Sequence, residues 1–137
     1  MIRSTSDLFT IDGKGYNLLV EKLERTGEVT DTEASGRTGD YTMHRDIIGT
    51  FYNYKVTCRT VDYSEDALKS YDEFFQTITA PVPSHDVSFP YGQETLEFKA
   101  YVTKAVDTLI RMDDKNIWGY EGVQVSFIAM APQRRRI

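Results

Sequence analysis

Residues Arg45–Asp62 read RDIIGTFYNYKVTCRTVD, and this run decides the fold class. Ile48, Tyr52, Tyr54, Val56 and Cys58 fall on one parity, with Asn53, Lys55, Thr57 and Arg59 on the other. Successive side chains of a strand point to opposite faces, so a period of two predicts a strand with one dry face and one wet face. Gly49 near its start signals a bulge or a close neighbouring backbone. Phe51 breaks the polar face with a ring, which makes it the first candidate for a contact between subunits.

Working outward toward the N-terminus, Leu8–Ile11, the turn Asp12-Gly13-Lys14-Gly15 and Tyr16–Leu23 read as strand, tight turn, strand, because Gly adopts positive φ freely and Asp tolerates it. Leu19, Leu23 and Val20 are expected to point inward, while Glu21, Lys22, Glu24 and Arg25 lay charge along an edge. Between Tyr16–Leu23 and the Arg45–Asp62 run, DTEASGRTGD, residues 31–40, has the composition of an exposed flexible loop. Gly36 and Arg37 within it are candidate subunit contacts, since loops often carry binding.

Toward the C-terminus the period changes. Leu68, Tyr71, Phe75 and Ile78, widened by Ala67 and Phe74, recur at spacings of three and four, which predicts an amphipathic helix over about 64–79. Ser64 or Asp62 can cap it, Glu65 and Asp66 suit the positive end of its dipole, and Pro81 stops it. His85–Phe89, a turn at Pro90-Tyr91-Gly92-Gln93 and Thr95–Thr103 form a hairpin signal, with Leu96, Phe98, Ala100 and Val102 on one face. The second strand is expected to continue through Val106 to Ile110. A turn at Asp113–Asn116 then leads to Trp118 and a last strand in which Val123, Val125, Phe127 and Ala129 alternate with polar residues.

These segments predict a single domain over 1–137 of class α+β, mainly β: an antiparallel β-sandwich or barrel of about six or seven strands with one helix on its flank. The sequence is 40% hydrophobic and 27% charged, the balance of a folded soluble domain. No segment reads as a signal-peptide core, and no apolar run reaches the roughly 18 residues of a membrane span, so no membrane partner is expected. The net charge of −5 disfavours nucleic acid, whose binding depends on clustered Lys and Arg. Aromatic strands can stack bases, but here the rings fall on both faces. The basic tail 133–137, with Arg134, Arg135 and Arg136 adjacent, is either a solvated tail or an electrostatic docking tail, and these arginines join the candidate contacts.

Little in the chain points to catalysis. Cys58 is the lone cysteine, on the dry face of its strand, where a buried structural thiol is expected. His44 and His85 are far apart in sequence, and neither a metal-ligand spacing nor a phosphate-binding loop occurs. A Cys58-His85-Asp86 trio has nothing to fix its geometry. No enzyme activity and no cofactor are expected.

The succession IDGKGYNLLVEKLERTGEVTD, a Gly-rich loop, HRDIIGTFYNYKV, YDEFFQTITAPVPSHDVSFPYG and FKAYV with a Trp-led VQVSFIAMAPQR resembles small phage and prophage structural proteins of long-tailed phages infecting Gram-positive bacteria. Arg45–Tyr54 is its most specific piece. The order of strand, helix, Pro-Val, hairpin and last strand is similar to the β-sandwich-plus-helix modules of phage tail tubes and baseplates. The resemblance implies a virion structural or assembly protein, of tail or baseplate, made in the host bacterial cytoplasm. It further implies a homo-oligomer contacting other phage structural proteins, without catalysis. The alternative is a small β-rich binding module for a host or phage protein, which predicts an exposed patch drawn from Tyr91, Tyr101, Trp118 and Tyr120.

Overall fold

A computed structural model of the chain describes residues 2–4, 8–32, 36–37, 39 and 42–135. In chain order the elements are β1 (Ile2–Ser4), β2 (Thr10–Ile11), β3 (Leu18–Asp31), β4 (Gly36–Arg37), β5 (Met43–His44), β6 (Ile47–Thr60), α1 (Glu65–Ile78), β7 (His85–Tyr91), β8 (Glu94–Tyr101), β9 (Leu109–Met112), β10 (Lys115–Trp118), β11 (Val123–Ala129) and β12 (Arg134–Arg135). The fold is mainly β and antiparallel. Its main sheet runs β1-β3-β6-β11-β8-β7-β2, with β12 added to β6. Among the described residues the ends of this path, β1 and β2, do not pair, so no barrel closes.

The strand β11 turns the sheet into two layers. Val123–Phe127 pair with β6, whereas Ile128 and Ala129 pair with Tyr101 and Ala100 of β8. One layer is therefore β1-β3-β6-β11 and the other β11-β8-β7-β2. Phe89 of β7 fills the space between them, 4.6 Å from the Tyr54 ring, 5.2 Å from Phe127 and 5.5 Å from Phe9 between centroids. Burial of such aromatic and aliphatic side chains is the main favourable term in folding.

The helix covers the remaining side of this core. Ser64 Oγ accepts the Ala67 N–H at 3.3 Å, and Asp62 in turn accepts the Ser64 N–H at 2.9 Å, so both expected caps act in series. Ala67, Tyr71, Phe74 and Ile78 are the buried face, with Leu68 and Phe75 only partly buried. The stripe is thus centred on Tyr71 and Phe74, and Phe74 packs edge-on against Phe9 and Tyr16.

Several expectations need correction. The Asp12-Gly13 turn forms, with φ of 54° and 81° and hydrogen bonds between Ile11 and Lys14, but β2 and β3 do not make a hairpin. β2 pairs with β7 (Thr10 with Ser88, Ile11 with Val87), and β3 pairs with β6 and β1. In β3 the inward residues are Leu18 and Val20, then Leu23, rather than Leu19. Val20 faces Cys58 and Lys22 faces Thr57, so Glu21 is an extra bulge residue that shifts the inward parity by one. A second bulge lies where Thr30 faces Gly49 and Asp31 faces Ile47. It leaves Ile48 unpaired and 40% exposed, off the core face where alternation had put it. The expected Val106–Ile110 continuation is also absent: β8 ends at Tyr101, and Leu109 and Ile110 begin a separate β9–β10 hairpin turned at Asp113-Asp114 with positive φ.

Candidate interaction surface

The longest feature of the molecule is the β3–β6 hairpin. Each strand has 14 residues, a run of about 45 Å at roughly 3.3 Å per residue. Its inner half, Leu18–Leu23 against Val56–Thr60, lies over the core, and its outer half forms an arm whose side chains are mostly exposed from Arg25 to Val29. The segment expected as a flexible loop belongs to this arm. Gly36 and Arg37 pair with His44 and Met43, so part of it is a short ladder, and Thr32 N–H donates to the Asp46 carbonyl at 2.7 Å.

Backbone hydrogen-bond accounting separates a closed edge from an open one. The edge of β6 away from β3 is covered from Cys58 down to Gly49. After Phe127 has paired with Tyr54, the Asn53 side chain accepts the Ala129 N–H at 2.9 Å. The Gln133 carboxamide then both accepts the Tyr52 N–H and donates to the Tyr52 carbonyl, each at 2.8 Å. Arg134 and Arg135 continue the ladder opposite Thr50 and Gly49. Gly49 is required here by close approach, because a Cβ would collide with the Arg134 carbonyl and with Pro132. On β3 the opposite edge is covered by β1 only at Leu18–Val20. From Glu21 to Asp31 no strand pairs with it among the described residues.

At the base of the arm Tyr52 lies across Gly27, where a Cβ would stand 3.3 Å from its ring. Tyr91 donates to the Tyr52 hydroxyl at 3.1 Å, and the Arg25 guanidinium sits 5.2 Å from the centre of the Tyr91 ring. The hydrogen bond from Tyr91, followed by one with the Arg134 side chain, lowers the Tyr52 phenol below its ordinary range. Arg25 and Arg134 thus flank a tyrosine pair as an exposed basic patch.

Phe51 is half-buried opposite Glu28, outside the core cluster and on the arm face away from Tyr52. Gly36 and Arg37 are in β4, and Arg134 and Arg135 are in β12, whose main chain is engaged within its own chain. Arg136 lies outside the described residues. Sequence reasoning missed that Val29, Met43 and Ile48 are exposed on the arm, at 49%, 41% and 40%. The available signal was their position beyond the last core-facing residues of the hairpin. The four aromatics expected as one patch are held in different surroundings. Tyr91 is tied to Tyr52, Tyr101 pairs with Ile128, Tyr120 lies 6.1 Å from Tyr63, and Trp118 ends β10.

Cys58, His85 and Asp86 each sit in a structural setting. Cys58 is fully buried, and burial pushes its thiol up to about 12. His85 is buried and its Nδ1 meets Asp12 Oδ2 at 2.8 Å, while Asp86 pairs with Lys99 at 3.0 Å, so Cys58, His85 and Asp86 do not assemble. Asp12 also accepts the Asp86 N–H at 3.0 Å, which fastens the β2 turn to β7. Among the described residues no helix is long and apolar enough to cross a membrane.

No protein family matches the chain in a comparison of family profiles, and no curated protein is significantly similar to it.

Proposed function

We propose that this chain is a structural or assembly subunit of a long-tailed phage or prophage particle, of the tail or baseplate, that acts by self-association and without catalysis. The observation that carries the reading is the arm. It is a long hairpin whose β3 edge from Glu21 to Asp31 is unpaired among the described residues, with exposed apolar side chains at Val29, Met43 and Ile48. An open edge offers main-chain hydrogen bonds to another chain, and exposed apolar residues on a ribbon gain by burial there. The two-layer β core with one flanking helix is also the architecture that the phage resemblance implies. Subunits would be made in the host cytoplasm and end in the virion beside other structural proteins.

Light scattering over a wide concentration range tests this. The intact chain forms larger species as concentration rises, and Val29→Lys with Ile48→Lys shifts it toward monomer. A chain that stays monomeric at its solubility limit overturns the reading. Hydrogen exchange gives a second measure: the β3 amides between Glu21 and Asp31 gain protection on assembly.

A binding module for a host or phage protein is the second reading, and one observation favours it. Trp118 is 42% exposed at the mouth of a cleft beside the helix. An exposed indole beside a cleft is a common anchor in protein interfaces.

A further inference from the structure

The cleft at Trp118 has a chemistry of its own. It encloses about 230 Å³ and is lined by Asp72, Phe75 and Gln76 of α1, with Asp107 and Trp118 facing them. The three helical residues stand at i, i+3 and i+4, so they present one surface. Gly119 fixes the opposite wall, because it has a φ of +72° and lies so close to the Tyr71 ring that any Cβ would collide with it. Tyr71 donates its hydroxyl to Asp107 Oδ2 at 2.8 Å, which holds that carboxylate at the rim. Burial and then the charge of Asp107 raise the Asp72 carboxyl above its ordinary range. Among the described residues no lysine, arginine or histidine forms a salt bridge with either aspartate.

An apolar cleft walled by an indole and a phenyl ring, with two carboxylates and no cation, fits a guanidinium group. That group is planar, stacks on aromatic faces and donates to carboxylates in a fork. The chain carries such groups on β12, where the side chain of Arg135 is exposed and that of Arg134, also exposed, is shared with the Tyr52 hydroxyl. They cannot fill the cleft of their own molecule. β12 pairs at Gly49 and Thr50, whereas the β10–β11 turn that follows Trp118 meets β6 at Cys58, roughly 30 Å along the strand. A donor surface and an acceptor surface at separate places on one chain make a head-to-tail contact between copies.

We infer that the cleft between α1 and β10 receives an arginine side chain from the C-terminal strand of a second copy of this chain. The inference rests on the self-associating role above, to which it adds a specific contact.

Trp118 is the only tryptophan, so its fluorescence reports the cleft directly. The intact chain is titrated with a synthetic peptide of residues 131–137 and with the same peptide carrying alanine at its three arginines. The expected result is a saturable change in Trp118 emission with the arginine peptide, at least tenfold weaker with the alanine peptide. It is also at least tenfold weaker in the Asp72→Asn, Asp107→Asn variant, which keeps an acceptor for the Tyr71 hydroxyl. Asp72→Lys, a change at an exposed helix position, weakens peptide binding and self-association together. An unchanged emission, or equal binding of the alanine peptide, overturns the inference. Self-association of the intact chain that Asp72→Lys leaves unaltered overturns this contact while the structural reading stands. A chain monomeric at every concentration overturns both.

Discussion

Tyr54 stacks on Phe89 with 4.6 Å between ring centroids and 10° between ring planes, although β6 and β7 are separated in the hydrogen-bonded order by β11 and β8. The contact is possible only because the two halves of the sheet face each other, and the Tyr54 hydroxyl adds a bond to the Pro90 carbonyl at 2.9 Å. This pair therefore reports whether the layers are closed on one another.

Tyr54→Ala is expected to destabilise the domain by about 3–5 kcal/mol, through lost burial and the cavity left behind. Tyr54→Phe removes only the bond to Pro90 and is expected to cost about 1 kcal/mol. Urea unfolding of both variants checks the difference. Equal, small effects would mean that the ring does not join the layers.

Gly49→Ala places a methyl group against the Arg134 carbonyl and Pro132, where backbone has to move. A cost of about 1–3 kcal/mol is expected, as for overpacking elsewhere. Amide exchange should localise it, with β12 losing protection while β11 keeps its own.

Acid should loosen the join between the β2 turn and β7. Burial opposes ionisation of Asp12, but the hydrogen bonds from His85 and the Asp86 N–H outweigh it, and the carboxyl lies below its ordinary 3.8. A folded pKa below the unfolded one means that the stabilisation is complete above the unfolded value and fades as pH falls through the folded one. Asp12 is half exposed, so solvent screening limits this to under about 1 kcal/mol. Asp12→Asn tolerates the positive φ and removes the charge. The stability gap between the native protein and this variant should shrink between pH 5 and 3, at about the carboxylate titration range.

The Cys58 thiol should react with a disulfide reagent at pH 8 only through unfolding, given its full burial and a pKa near 12. Labelling in the native protein is expected to be at least about a hundredfold slower than in urea, because only the thiolate of the open form reacts. Fast labelling of the folded protein would place the strand at the surface.

Much of this architecture is legible residue by residue. The run Tyr54-Val56-Cys58, the alternation from Val123 to Ala129 and the helical stripe around Tyr71 and Phe74 are all buried as their periods require. Gly92 and Asp12-Gly13 turn the chain where their backbone freedom permits. Ile48 and Leu19 mark the limit. A bulge of one residue reverses the parity on which their inward orientation was counted, and Glu21 and Ile48, the extra residues, have no side-chain signature.

The helix with its limits and caps, the main strands, most turns and most of the core follow from the amino-acid sequence, because side-chain period and turn chemistry are local properties, whereas the short strands at Gly36–Arg37 and Arg134–Arg135, read as loop and tail, do not. Only the tertiary structure decided that β2 joins β7, that β11 passes from one layer to the other, and that Gln133 and β12 close the outer edge of β6. It alone brought Asp72, Asp107 and Trp118 to one cleft and left the β3 edge from Glu21 to Asp31 unpaired among the described residues. The reason is physical: these outcomes depend on main-chain hydrogen bonds, identical in every residue but proline, and on side chains brought together from distant parts of the chain.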